Sequence, residues 1–395
     1  MNHELLAPGA PVAQVAAAPS QPAEYPIRFT ASGGEYFGIW IVNLLLIVLT
    51  LGIYLPWAKV RRLKYFYNNT EVAGHALDFH GQGSRMLRGT LIVGAFFILY
   101  SIASNFSPWA ALVAALAFLA LWPMLFRAGM RFRLSQTSWR GLRFRFTGNT
   151  ADAYLAVLPP LALILVPVVL GGLFAGTPDS TAKIAEPPGA VLAAIGLSFL
   201  LFFLGLPYFL WRVKRYQHNH YAYGPLTSEL RAGAGVFYGI FLKIIGAALV
   251  MALGLVLVGF LLPQKGLAGL GLIVVFLAPL IFFGFLLMNL VAESYVVVRL
   301  QNLVWTRTGN AHFRFKSNLR LAPYIGLQFK NYLLIALSVG FYWPFAVVAT
   351  RRAQLEAVSL FTRIDLDTLV DRATRAEADA TGDAAAEVFD LDVGI

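Results

Sequence analysis

The chain has 395 residues, of which 58% are hydrophobic and only 13% charged, and it contains no cysteine. Such a composition lies outside ordinary soluble domains, and the missing thiols exclude disulfides, thiolate nucleophiles, iron–sulfur clusters and Cys-based zinc sites. The formal charge of +11 is unevenly spread, because residues 364–395 hold nine acids against two arginines and leave +18 on the remainder.

Residues 1–26 (MNHELLAPGAPVAQVAAAPSQPAEYP) lack the basic and apolar regions of a cleaved signal and read as a disordered Ala/Pro-rich lead. Residues 27–363 read as a transmembrane domain with internal repeats, and 364–395 as an acidic tail. Eight apolar segments follow one another at 36–57, 87–105, 108–126, 152–173, 188–211, 236–262, 267–291 and 327–348. Their lengths approach the ~20 residues needed to cross ~30 Å of hydrocarbon. The expected fold is an all-α polytopic membrane protein with about eight transmembrane segments, built from repeated helical hairpins. The links 105–108, 174–187 and 263–266 are poor in Lys and Arg, whereas 59–90, 127–146, 212–231 and 299–330 are rich in them. That contrast puts the basic connections in the cytoplasm and the three hairpin tips outside.

The basic connections resemble one another. A proline closes an apolar span (Pro56, Pro123, Pro207), and a glycine follows 18, 18 and 17 residues later (Gly74, Gly141, Gly224), preceded by Asn69, Gln136 or Asn219. Alternating apolar residues come next, with Leu77 and Phe79, Phe144 and Phe146, and Phe313 and Phe315 reading as short extended stretches. The motif TLGIYLPWAKVRR at 50–62 is echoed by SVGFYWPFAVVATRR at 338–352. Two topologies remain open. Eight full crossings put both termini outside, whereas re-entrant first and last segments keep both in the cytoplasm.

TLGIYLPWAKVRR…YFYNNT, the preceding GGEYFGIWIVN and the recurring F-x-F-x-G-N resemble the YjgN-like family of bacterial inner-membrane proteins, from about Arg28 to Arg363. The resemblance implies a multi-pass protein of the bacterial inner membrane with no established activity. No catalytic, metal-binding or cofactor-binding residues carry over from it.

Two groups of residues carry the chemistry. The basic-aromatic runs supply Trp57, Lys59, Arg61, Arg62, Lys64, Arg131, Arg133, Arg212, Lys214 and Arg215, cations and an indole suited to anionic lipid headgroups on the cytoplasmic side. Topology and helix anchoring account for the same residues, and the position of these runs beside membrane spans argues against nucleic acid. Within the apolar spans, Asn43, Lys243, Asn289 and Glu293 stand out because intramembrane polar groups are costly. Lys243 and Glu293 read as a pair across one hairpin. The motif HNH at 218–220 is too short to specify a metal site. There is no phosphate loop, nucleophile elbow or H-E-x-x-H motif, so catalysis is not expected and no cofactor is required. A transporter or channel for an unidentified solute is the leading expectation, and a non-catalytic lipid-binding scaffold is the alternative.

Overall fold

The structure is a computed structural model that describes residues 22–174, 188–261 and 266–375, apart from 364 and 369. The expected lead at 1–21, most of the expected tips at 174–187 and 263–266, and the tail beyond 375 lie outside the described residues. The first strand starts at Ala23, within the stretch read as lead.

The order strand–helix–helix–strand occurs five times. The first unit is β1 (Ala23–Phe29), α1 (Gly33–Leu49), α2 (Leu55–Asn68) and β2 (Thr70–Val72). The second is β3 (His75–Phe79), α3 (Gly83–Phe106), α4 (Pro108–Ser135) and β4 (Thr137–Trp139). The third is β5 (Leu142–Phe146), α5 (Thr150–Phe174), α6 (Gly189–His218) and β6 (Tyr221–Tyr223). After β7 (Leu226–Thr227) comes the fourth, β8 (Glu229–Leu230), α7 (Ala234–Leu261), α8 (Gly266–Thr306) and β9 (Thr308–Gly309). The fifth is β10 (Phe313–Ser317), α9 (Leu321–Leu337), α10 (Trp343–Glu356) and β11 (Val358–Thr362).

In every unit the two flanking strands pair antiparallel with each other. The eleven strands run in the order β7-β6-β5-β4-β3-β2-β1-β11-β10-β9-β8. The two ends of that row, β7 and β8, are separated in the chain by Ser228 alone, so covalent continuity closes the sheet into a ring. Only the two-residue strands β7 and β8 are paired on one side alone among the described residues, too short an edge to template aggregation. The turns between units follow from local chemistry. Ala73-Gly74 and Arg140-Gly141 each have positive φ at both positions (51° and 78°, 50° and 83°), as a two-residue hairpin of matching twist requires. They join Val72 to His75 and Trp139 to Leu142.

The helices also form a circle. The substantial helix–helix interfaces lie between chain neighbours, and α1 against α10 completes the circuit. Among the described residues, six helices are long and apolar enough to cross a membrane: those at 83–106, 109–135, 150–171, 189–218, 234–254 and 281–306. Little of their surface is buried inside the protein, as expected of faces turned to lipid.

The expectations of eight crossings and of an all-α fold are therefore corrected to six candidate spans above an eleven-stranded sheet. The segments 36–57 and 327–348 are each broken into two helices. At Leu51-Gly52 and Val339-Gly340 the backbone turns through φ of 50° and 91° in both copies. Gly52 N–H then bonds Ile47 O and Gly340 N–H bonds Ile335 O, both at 2.8 Å. Each first half has 17 residues, about 25 Å at ~1.5 Å per residue, short of the ~30 Å hydrocarbon core. Because β1 pairs with β2 and β10 with β11, both hairpins return to the side they left. Pro56 starts α2 rather than ending a span, and Pro123 and Pro207 lie inside continuous helices.

Candidate functional site

The first re-entrant hairpin forms a cavity of about 440 Å³ with α3 and α10. Its polar lining includes Asn43, Lys59 and Arg62, and its apolar lining includes Leu44, Ile47 and Trp343. Local sequence explains the arrangement. Helix α1 is apolar apart from Glu35 in its first turn and Asn43, and the turn at Thr50–Tyr54 folds α2 back along it. Thr50 Oγ1 accepts a bond from Tyr54 N–H at 3.0 Å, which holds that turn. On α2, Lys59 stands three residues after Pro56 and Arg62 four after Ala58, so all four share the face that lines the cavity, and both cations are exposed.

The electrostatics of the pocket are one-signed. Lys59 is exposed at its mouth, yet the low-polarity walls first, and then Arg133 and Arg62, hold its ammonium below the usual lysine range. Asn43 is 7% exposed and its Oδ1 has no hydrogen-bond partner among the described residues. An unpaired buried acceptor costs about 1–3 kcal/mol. Asn43→Leu is therefore expected to raise the thermal midpoint in detergent, by the equivalent of about 1–2 kcal/mol. A lowered midpoint would mean that the amide is satisfied after all.

The fifth unit repeats part of this geometry. Tyr324, Asn331, Gly340 and Pro344 stand 288 residues after Tyr36, Asn43, Gly52 and Pro56. Asn331 is 2% exposed and its Oδ1 also lacks a partner, while its Nδ2 donates to Thr350 Oγ1 at 3.1 Å. Thr350 occupies the place of Arg62 at the same separation, so the fifth unit has the buried amide without that cation.

The other residues singled out from sequence are dispersed. Arg61, Lys64, Arg131 and Arg133 are exposed. Trp57 stacks on Tyr54 at 6.1 Å, and its indole occupies the space that a Cβ at Gly83 would need. Arg212 lies over Tyr208 at 6.0 Å, and Arg215 over Trp211 at 5.2 Å. Lys214 is half-buried on the same helix. Asn289 Nδ2 donates to Phe285 O, one turn back in its own helix, at 2.8 Å. No Lys243–Glu293 ion pair is found among the described residues; Glu293 accepts from Tyr332 Oη at 2.8 Å instead. The fold explains this, because α8 packs on α9 as well as on α7. Lys243→Ala is accordingly expected to change stability by less than about 0.5 kcal/mol, measured by thermal unfolding. His218 and His220 turn to different partners, Thr308 Oγ1 at 3.0 Å and Tyr216 O at 2.7 Å.

Sequence reading missed the part of Tyr65. Its Oη lies 2.9 Å from both N and O of Ser32 and 3.0 Å from Glu35 Oε2, clamping α2 to the start of α1. Burial, with the Glu35 carboxylate beside it, pushes the Tyr65 hydroxyl up to about 12, so it remains protonated at physiological pH. The signal available was Glu35 just before the span, a carboxylate in need of a donor.

Comparison with known proteins adds the family. Residues 24–388 match a bacterial protein family of unknown function, DUF898. The chain belongs to this family. Its curated relatives include the inner membrane protein YjgN of Salmonella typhimurium, 30% identical over 190 residues, which is 45% of this chain and 42% of that protein. Another is the inner membrane protein YjgN of Escherichia coli K12, 35% identical over 120 residues, 30% of each chain. The alignments thus span less than half the length of these relatives. No solved structure gave a significant match. With six membrane-capable helices, this DUF898 chain is a multi-pass inner-membrane protein whose family has no assigned function.

Proposed function

We propose that the protein is a transporter- or channel-like protein for a small anionic solute, and that the strand ring and helix circle frame its path. The observation that carries this reading is the cavity joining the Asn43 Oδ1, unpartnered among the described residues, to Lys59 and Arg62. An unsatisfied acceptor and two cations at the end of an apolar slot suit a solute with one anionic group and one donor. Re-entrant segments are tolerated in membranes where they are buried in protein or line a cavity, which also favours a solute site here. The test is uptake into proteoliposomes of radiolabelled acetate, glutamate and inorganic phosphate. At least one is expected to enter above the level of empty vesicles, and Lys59→Gln with Arg62→Gln should cut that uptake at least fivefold. Equal uptake by empty vesicles for all three would sink the proposal.

A second reading has its own support. Cations line a larger cavity of about 610 Å³ at β10 and β11, namely Arg231, Arg314, Lys316 and Arg363. Together with the stacked Arg212 and Arg215 they suit anionic headgroups at the inner leaflet, each worth about 1 kcal/mol. Binding of the purified protein to anionic vesicles should weaken as salt rises, and Arg314→Ala with Lys316→Ala should weaken it further. An unchanged affinity in that variant would remove the scaffold reading. In both readings the positive-inside rule directs the ring to the cytoplasm.

A further inference from the structure

We propose that the segment described at residues 365–368 and 370–375 acts as a releasable plug that closes the mouth of the strand ring farthest from the membrane. The proposal builds on the reading of the ring as part of a solute path. Leu366, Val370 and Ala373 fall on one face of a helical turn pattern, and Leu366 and Ala373 are buried at 6% and 1% exposure. They belong to one apolar cluster with Tyr25, Leu77, Phe144, Tyr223 and Phe315, which come from strands all around the ring. A single cluster shared by such widely spaced strands lies in the ring's interior. The alternate positions Asp365, Asp367, Thr368, Asp371 and Arg372 are exposed.

The seat is at the turn end of the ring, away from the helices. Asp367 pairs with Arg140 in the β4–β5 turn. Ala373 lies against Gly224 in the β6–β7 turn, where an added Cβ would come within 2.4 Å of the Ala373 Cβ. Gly224 has φ of +55°, a conformation that glycine adopts readily. The segment therefore fits a shaped place, as a permanent core element would. Its attachment is different. It takes no part in the strand ladder, and Asp367 is 71% exposed, so the ion pair contributes little. What holds it is the insertion of a few apolar side chains, with an acidic and soluble opposite face ready for water. An amphipathic segment so held can leave without breaking a backbone hydrogen bond of the ring.

The absence of native cysteine makes the test direct. Val72 packs on the same cluster from β2, next to the turn end. A Val72→Cys protein would be labelled with a membrane-impermeant maleimide, alone, with Val370→Asp, and with the chain stopped after Arg363. Both plug variants are expected to label at least tenfold faster while keeping the same gel-filtration profile and thermal midpoint within a few degrees. Equal labelling rates in all three proteins would overturn the proposal. Loss of the folded state in both variants would overturn it too, since the segment would then be core. Faster labelling without altered uptake of the three test anions would leave the plug standing and count against the solute path.

Discussion

Single cysteines at Ser32, Glu71 and Ser359 are expected to react with an impermeant maleimide from one and the same side of the membrane, the cytoplasmic side. A cysteine at Leu51 should be protected from both. Ser32 precedes α1, Glu71 pairs with Arg28 of β1, and Ser359 lies between Pro26 and Lys316 in the ladder. Glu71 and Ser359 sit on one continuous sheet, which cannot be split between two aqueous compartments, and Ser32 follows the end of β1 by three residues. Leu51 is 94% exposed at the tip of the hairpin, as is Val339 at 87% in the fifth unit, and both are apolar residues suited to lipid. Eight full crossings predict a different pattern, with Ser32 and Ser359 labelled from outside and Glu71 from inside. The contrast is all-or-none, because a lipid bilayer either separates the thiol from the reagent or does not.

The largest stability change is expected from Phe79→Ala. Phe79 is 1% exposed, stacks on Tyr67 with ring centroids 5.5 Å apart, and lies opposite Thr137 in the strand pair. Its ring also fills the space beside Gly81, where a Cβ would come within 2.4 Å. Truncating such a side chain costs about 3–5 kcal/mol, a large part of the ~5–15 kcal/mol that stabilises a typical domain. Thermal unfolding in detergent should show a clearly lowered midpoint. Phe283→Ala makes the control, since Phe283 is 66% exposed on a membrane-facing helix and should shift the midpoint far less. Equal shifts in the two variants would mean that the Phe79 site between β3 and α2 is not part of the stabilising core.

Much of this architecture was legible in the residues. Long apolar runs identified the membrane class, and the basic connections coincide with the segments that form strands. The alternation at Leu77 and Phe79, Phe144 and Phe146, and Phe313 and Phe315 marked strands that the structure contains. Less legible was how those strands are joined. Three-residue segments such as Thr70–Val72 and Tyr221–Tyr223 are too short to show a period, and their pairing is set by partners far away in sequence. The candidate site divides in the same way. Asn43, Lys59 and Arg62 were each noticeable for a polar group in an apolar or interfacial context, but two different readings had been attached to them. Only the fold of α2 back along α1 brings them to one cavity.

The break in the first and last segments shows where hydropathy stops being informative. Both runs are apolar across the turn, so composition alone counts each as one span. Gly52 and Gly340 permit the reversal through positive φ, yet glycine is also common inside membrane helices. What decides the matter is the pairing of β1 with β2 and of β10 with β11. Composition and charge thus determined by themselves that the chain is a polytopic membrane protein with one basic face, because transfer energies and topology rules act on local segments. The break in the first and last segments, the closed ring and the pocket came only from tertiary structure, because they depend on hydrogen bonds and contacts between residues as far apart as Ala23 and Thr362.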